Sequence, residues 1–217
     1  MTQKSHGIAG IIGGLLFFAA VMSAHLPGGD SKPSDIIDYF GTTGHQASTM
    51  VIAYVLALAS FLLAWFFVGV ARRLRAGEGG RASDVSLLAA ITGVATVAAL
   101  LLAAGALIAM SGPLLFGNQA APGDSTVTVG WVAIGLIVVA MLPAAVAMFA
   151  ISLAAGRSGA LPRWNVRVGY VCAMVLVPGS LVFSPMLALT VWLVSTRITL
   201  IRPAPVRSAA AVQPAAA

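Results

Sequence analysis

The sequence predicts an all-α integral membrane protein, a helical bundle with six membrane crossings that ends in a short hairpin. Hydrophobic residues occupy 59% of its 217 positions and charged residues only 8%, whereas about a quarter of the residues in a soluble domain are charged. Five apolar runs each reach the roughly 20 residues that a helix needs to cross a bilayer. They cover residues 7–27, 48–71, 85–110, 127–155 and 166–201. We therefore expect one polytopic membrane domain at residues 1–202 and a disordered, Ala- and Pro-rich cytoplasmic tail at residues 203–217.

The first run is a membrane anchor by its length, since it is longer than the apolar core of a signal peptide, about 7–15 residues. It contains Gly10 and Gly14, and small residues four apart let helices approach closely in lipid. The third run carries two more such pairs, Ala89 with Gly93 and Gly105 with Ala109. Together these pairs predict a compact bundle.

The linker PSDIIDYFGTTGHQAS, residues 33–48, separates the first two runs and predicts a short interfacial helix at about residues 34–40. Ser34 suits the N-cap, Asp35 favours the positive helix end, and Gly41 suits the stop. We expect the apolar side of this helix to lie in the membrane interface. That side consists of Ile36, Ile37 and Phe40.

The rest of this linker carries two further predictions. Thr43 and Gln46 have the T-x-x-Q spacing of a capping box, which would begin the second membrane helix. The acidic side of the linker is a candidate external interaction surface, although an architectural role explains it as well. Its residues are Asp30, Asp35, Asp38 and Tyr39.

Basic residues in the linkers predict the orientation, because short basic loops are retained in the cytoplasm. The linker after the second run carries Arg72, Arg73, Arg75 and Arg81, and the one after the fourth carries Arg157, Arg163 and Arg167. The linkers after the first and third runs are mainly acidic. We expect the cytoplasmic (inner) membrane of a bacterium, with the N-terminus inside.

The last run, residues 166–201, is the ambiguous one, since a single crossing would put its following arginines outside. Pro178-Gly179 is a turn dipeptide, and Ser184-Pro185 suits a helix start. A hairpin of two helices of about 22–24 Å then brings all but Lys32 of the twelve basic residues inside. Five crossings remain the alternative. In the fourth run, Pro143 predicts a kink.

The apolar runs lack Asp, Glu, Lys and Arg at depth, which argues against proton-coupled transport and metal-dependent intramembrane hydrolysis. The single cysteine, Cys172, excludes an intrachain disulfide. His25 and His45 flank the acidic linker and are the one candidate metal pair, though without close ligand spacing. The sequence predicts no catalytic residue, metal or cofactor, and its scattered basic residues predict no nucleic-acid partner.

The cytoplasmic linkers hold candidate contacts to lipid headgroups. The segment GALPRWNVR, residues 159–167, combines arginines with a tryptophan, which prefers the headgroup level. The candidate contacts are Arg72, Arg73, Arg75, Arg163, Trp164 and Arg167.

Three short motifs carry a resemblance. They are D-I-x-x-Y-F at residues 35–40, R-R-L-R at residues 72–75 and A-L-P-R-W at residues 160–164. With them, most of residues 7–202 resembles a loose group of uncharacterised bacterial multi-pass membrane proteins, classed as domains of unknown function. The resemblance implies six helices and brings no activity and no functional residues with it.

Three functions remain open. The first is a non-catalytic membrane protein, either an accessory subunit of a larger assembly or a binder of lipid or another apolar ligand. Its partners would be membrane lipids and other membrane subunits, or further copies of itself. The second is a small-molecule permease or channel-like component with a cavity near Pro143 and Pro178. The third is a metal-handling protein or membrane enzyme acting through His25 and His45.

Overall fold

The computed structural model describes residues 3–24, 32–80, 83–117, 122–177 and 186–201, and these form helices and short connections without a strand. The helices are α1 (Gln3–Ser23), α2 (Pro33–Phe40), α3 (Thr43–Gly77), α4 (Asp84–Phe116), α5 (Asp124–Ser158), α6 (Arg163–Leu176) and α7 (Met186–Ile201). Four of them, α1, α3, α4 and α5, are long and apolar enough to cross a membrane. The predicted all-α membrane bundle is confirmed at this level.

Several predictions fall on residues outside the described ranges. These are the turn at Pro178-Gly179, the helix start at Ser184-Pro185, the tail at residues 203–217, and the positions of His25, Asp30 and Arg81.

Six of the helices pack in a ring that follows chain order. Helix α1 packs against α3, α3 against α4, α4 against α5, α5 against α6, and α6 against α7, while α7 returns to α1 and closes the ring. The short helix α2 packs on α3 and α5. Short connections join α3 to α4, α4 to α5 and α5 to α6, as expected for neighbours in an antiparallel bundle.

Contacts between the helices fix which of their ends lie together. His6 at the start of α1 packs on Gly69 near the end of α3. Asn165 at the start of α6 donates to Ser195 near the end of α7, with 3.1 Å between Asn165 Nδ2 and Ser195 Oγ. The end of α5 meets the end of α3, where Ser158 packs on Gly77. We call this common end of the bundle the basic end, because the helix ends that meet there carry the arginines of α3, α5 and α6.

Small residues bring the helices together where the sequence predicted close approach. A Cβ on Gly10 would overlap the ring of Phe66 in α3, and one on Gly14 would lie 2.7 Å from Leu193 Cδ1 in α7. The two glycines of this pair therefore serve two different neighbours. Gly93 packs similarly on Phe67. Gly105 and Ala109 are exposed instead, and no atom of the described residues lies within 4 Å of a Cβ built on Gly105.

The centre of the ring is filled by large side chains. Trp192 of α7 is 0% exposed, and its ring meets the ring of Phe66 edge to face at 5.7 Å. Helix α5 runs through Pro143, and on either side Met141 and Ala144 are fully buried. Since lipid gives no hydrophobic drive to helix association, this close packing is the main source of cohesion between the helices.

Helix α2 confirms the predicted short helix but corrects its details. It begins at Pro33 with Lys32 as the N-cap, so Ser34 as the cap was wrong. Asp35 instead accepts from the Lys32 backbone amide, with 3.0 Å between Lys32 N and Asp35 Oδ2. Ile36 and Phe40, one turn apart, are buried in the protein core, whereas Ile37 is only half-buried. Two of its three apolar residues therefore pack against the bundle.

The junction between α2 and α3 lacks the predicted capping box of Thr43 and Gln46, so that prediction was wrong. The N-cap of α3 is Thr42, and Gln46 reaches back to the last residue of α2. Its Nε2 lies 2.6 Å from the Phe40 carbonyl oxygen. His45 Nδ1 lies 2.9 Å from the Tyr39 carbonyl oxygen. Both side chains thus bind carbonyls that the end of a helix leaves without intrahelical partners.

Candidate functional site

The first candidate site is a groove between α3 and α4 near the basic end, with a volume of about 500 Å³. This α3–α4 groove is lined almost entirely by apolar side chains, and two arginines stand at one end of it. The lining residues are Ala64, Phe67, Val68, Ala71, Arg72 and Arg75 from α3 and Ala90, Gly93, Val94 and Val97 from α4. Its volume lies within the range of about 300–1,000 Å³ of small-molecule sites.

Small residues on both helices create this groove. A Cβ added to Gly93 would lie 2.9 Å from Phe67 Cδ1, so the glycine lets α4 pack closely on this ring. The alanines beside them leave open space where larger side chains would fill it. Val68 and Val94 on the rim are exposed, so the groove opens on the outer surface of the bundle, where lipid chains would surround a membrane protein.

The three arginines of the R-R-L-R motif have two different surroundings. Arg72 and Arg75 are exposed and lie three residues apart on one helix face, at the end of the α3–α4 groove. Arg73 is only 6% exposed, and its Nε donates to the Ala160 carbonyl oxygen at 3.1 Å. Arg73 was predicted as a headgroup contact, but in the structure it binds the loop between α5 and α6.

That loop forms a second candidate site, a hollow of about 350 Å³ that we call the α5–α6 cup. Arg157 from the last turn of α5 and Arg163 and Arg167 from the start of α6 line it, together with Gly156, Gly159, Leu161 and Val166. Arg163 and Arg167 were predicted as headgroup contacts. Arg157, which the sequence indicated only as an orientation signal, was not predicted to lie here. Trp164, 42% exposed, lies between the two predicted arginines in the chain.

The connection between α3 and α4 holds a further polar cluster that sequence reasoning missed. Glu78 accepts from both the amide and the hydroxyl of Ser83, with 3.0 Å to Ser83 N and 2.6 Å to Ser83 Oγ. Ser83 in turn caps α4 by accepting from the Ser86 amide. Burial acts to raise the pKa of the Glu78 carboxyl, but the hydrogen bonds from Ser83 and Ser86 outweigh it and lower the pKa below its usual value.

The predicted external surface is only partly described. Asp35 and Asp38 are exposed on α2, and Tyr39 is half-buried. The ring of Tyr39 stacks on that of His45, with 3.9 Å between the ring centroids and 2° between the planes. In the described parts of the chain, no group of three His, Cys, Asp or Glu side chains comes together in a way that could hold a metal ion.

His6 is a buried polar residue at the basic end. It is 3% exposed, its Nδ1 lies 3.0 Å from the Trp65 carbonyl oxygen, and its ring stacks on the Trp65 ring. These contacts join the start of α1 to α3. They explain the histidine as a structural residue of the basic end.

No protein-family model matches this chain, and no curated protein and no solved structure matches it either. The resemblance to a group of multi-pass membrane proteins therefore stays a prediction.

Proposed function

We propose that this chain is a non-catalytic integral protein of a bacterial cytoplasmic membrane that binds a membrane lipid in the α3–α4 groove. It crosses the membrane six times, with both termini in the cytoplasm. In the cell it acts as a lipid-binding component of the membrane, alone or as an accessory subunit of a larger assembly.

The direction of the helices supports six crossings. The start of α1, the ends of α3 and α5, the start of α6 and the end of α7 share the basic end, and basic loops are retained inside. Helices α6 and α7, with 14 and 16 residues, span about 21 and 24 Å. Because the apolar core is about 30 Å thick, arginines at their ends must extend to the headgroups, or the bilayer must thin locally.

One observation carries the lipid-binding proposal, namely an apolar groove that opens toward lipid and ends at two exposed arginines. An acyl chain would lie along the valines and alanines of the groove, and the headgroup would meet Arg72 and Arg75. Guanidinium groups bind phosphate oxygens through paired hydrogen bonds. The packed ring centre supports a function at this surface over a path through the bundle. Near Pro143, where a permease cavity was expected, Met141 and Ala144 are fully buried against their neighbours, while Leu142 and Val146 are exposed.

Filling the groove tests the proposal. Ala90→Leu places a larger side chain in the groove, and Ala98→Leu places the same side chain on the exposed face of α4 as the matched control. Each protein is extracted in mild detergent, and native mass spectrometry measures the lipid that it retains. We expect the wild type and Ala98→Leu to retain one lipid and Ala90→Leu to lose it. Equal retention by both variants, or a lipid-free wild type, would contradict the proposal.

A further inference from the structure

We propose that the α5–α6 cup is a second binding site, for an anion that carries two linked phosphate groups at the inner membrane surface. It lies on different helices from the α3–α4 groove and requires no lipid in that groove. The anion is either the headgroup of a lipid with two phosphates or a soluble diphosphate, and both present the same chemistry to the cup.

Three exposed arginines from two helices line the cup. Arg157 comes from the last turn of α5, Arg163 is the first residue of α6, and Arg167 follows it one turn later on the same face. The guanidinium group is planar and always charged, and its N–H groups match pairs of phosphate oxygens. The N-terminus of α6, with its partial positive charge, adds to the positive potential of the same hollow.

Contacts from α3 and α7 fix the backbone around these arginines. Gly159 adopts a left-handed conformation with φ of 67°, which a glycine allows without strain. Arg73 holds the next carbonyl, that of Ala160, and the side chain of Leu161 is buried. Asn165 fixes the start of α6 to Ser195 of α7. A site fixed in advance loses less conformational entropy when it binds its ligand.

The charge of the cup selects the ligand class. Among the described residues, its lining holds three arginines and no carboxylate. Glu78, the only glutamate of the chain, lines the adjacent hollow with Arg157, and both its carboxylate oxygens accept from Ser83. Three like charges around one hollow repel one another, and an anion with a single charge would leave most of this repulsion in place. An anion with two phosphates neutralises the cup more fully and gives each guanidinium oxygens to bind.

Binding of a soluble probe tests the site itself. The protein is placed in nanodiscs of zwitterionic phosphatidylcholine, and inorganic pyrophosphate is titrated by calorimetry, with inorganic phosphate and sulfate for comparison. We expect pyrophosphate to bind most tightly and the double variant Arg163→Gln/Arg167→Gln to bind it at least about tenfold more weakly, since each charge-assisted bond contributes strongly. The matched control Arg72→Gln/Arg75→Gln removes the same charge from the α3–α4 groove and should bind pyrophosphate like the wild type.

A third variant keeps the test valid if the glutamine variant fails to fold. Arg163→Lys/Arg167→Lys retains the charge but lacks the planar fork, so we expect weaker pyrophosphate binding with unchanged thermal unfolding. Loss of pyrophosphate binding in the groove variant as well as the cup variant, or equal binding of pyrophosphate and sulfate by the wild type, would overturn the proposal. So would unchanged binding in both cup variants.

A lipid arm identifies the source of the phosphates. Native mass spectrometry compares retention of cardiolipin, which carries two phosphates, with that of phosphatidylglycerol, which carries one. If cardiolipin is retained by the groove variant and lost by the cup variant, the ligand is a lipid. Pyrophosphate binding without preferential cardiolipin retention supports a soluble diphosphate. The groove-filling variant Ala90→Leu should leave cup binding unchanged, so the two proposals fail separately.

Discussion

The hairpin of α6 and α7 makes the sharpest prediction, because five and six crossings place the same two residues at very different distances. In the structure Asn165 Nδ2 and Ser195 Oγ are 3.1 Å apart. If residues 166–201 formed one continuous helix, the 30 positions between these residues would separate them by about 45 Å. No short reagent spans that gap.

A cysteine pair measures this distance. In a Cys172→Ser background, Asn165→Cys with Ser195→Cys should react with a short bifunctional thiol reagent in native membranes to give one intramolecular cross-link. Mass spectrometry of the digested protein detects the linked peptides. The negative control is Asn165→Cys with Leu187→Cys, because Leu187 is exposed and lies about 12 Å farther along α7.

The positive control is Phe67→Cys with Gly93→Cys, which joins two helices that are neighbours in either topology. If that pair reacts and the pair at residues 165 and 195 does not, the hairpin and the six-crossing proposal are wrong. A link between residues 165 and 195 in the monomer would exclude the five-crossing alternative.

Three further predictions test individual elements. Ile36→Asp should lower thermal stability in nanodiscs more than Ile37→Asp, because Ile36 is 6% exposed and full burial of an aliphatic side chain contributes roughly 1.5–3 kcal/mol; equal melting temperatures would refute the packing of α2. The lowered pKa of Glu78 means that its contribution to stability is present above the pKa of the unfolded chain and is lost as the pH falls through the folded value. The exposed position of this carboxyl limits that loss to less than about 1 kcal/mol, and Glu78→Gln should remove this part of the pH dependence of thermal unfolding. A cysteine at Ser208 in the Cys172→Ser background should resist an impermeant thiol reagent in intact cells, and ready labelling would place the C-terminus outside.

The helices were predictable because hydrophobic length and turn chemistry act locally. The predicted run at residues 48–71 became α3, Thr43–Gly77, which is longer at both ends because a helix continues into polar residues beyond an apolar segment. The capping box failed for the opposite reason. Its T-x-x-Q pattern is local, but the carbonyl that Gln46 binds belongs to Phe40 of another helix. Sequence spacing alone does not reveal that acceptor.

The sequence predicted which residue types the candidate sites contain, but not which helix faces carry them. The sequence places arginines at one end of the bundle. Helical spacing in α3 also separates the buried Arg73 from the exposed Arg72 and Arg75. Phe66 and Val70 are buried, and residues three, four or seven positions after them lie on the same helix face. Arg73 and Leu74 have this spacing, whereas Arg72 and Arg75 do not. The groove and the cup depend on which helices become neighbours. That information appears only in the packing of α3 on α4 and of α5 on α6.

The buried arginine connects the structure of α3 to the proposed diphosphate site, and a single substitution tests this connection. Arg73→Gln removes the donor to the Ala160 carbonyl, and an unsatisfied buried acceptor costs about 1–3 kcal/mol. Because that carbonyl lies in the loop that leads into α6, which carries Arg163 and Arg167, the start of α6 should become less fixed, and pyrophosphate binding should weaken although no guanidinium of the cup is lost. Lipid retention in the α3–α4 groove should stay at the wild-type level, since Arg72 and Arg75 are intact. If Arg73→Gln abolished lipid retention and left pyrophosphate binding unchanged, Arg73 would act as a lipid-headgroup contact, as predicted from the sequence, and the shape of the cup would depend on other contacts.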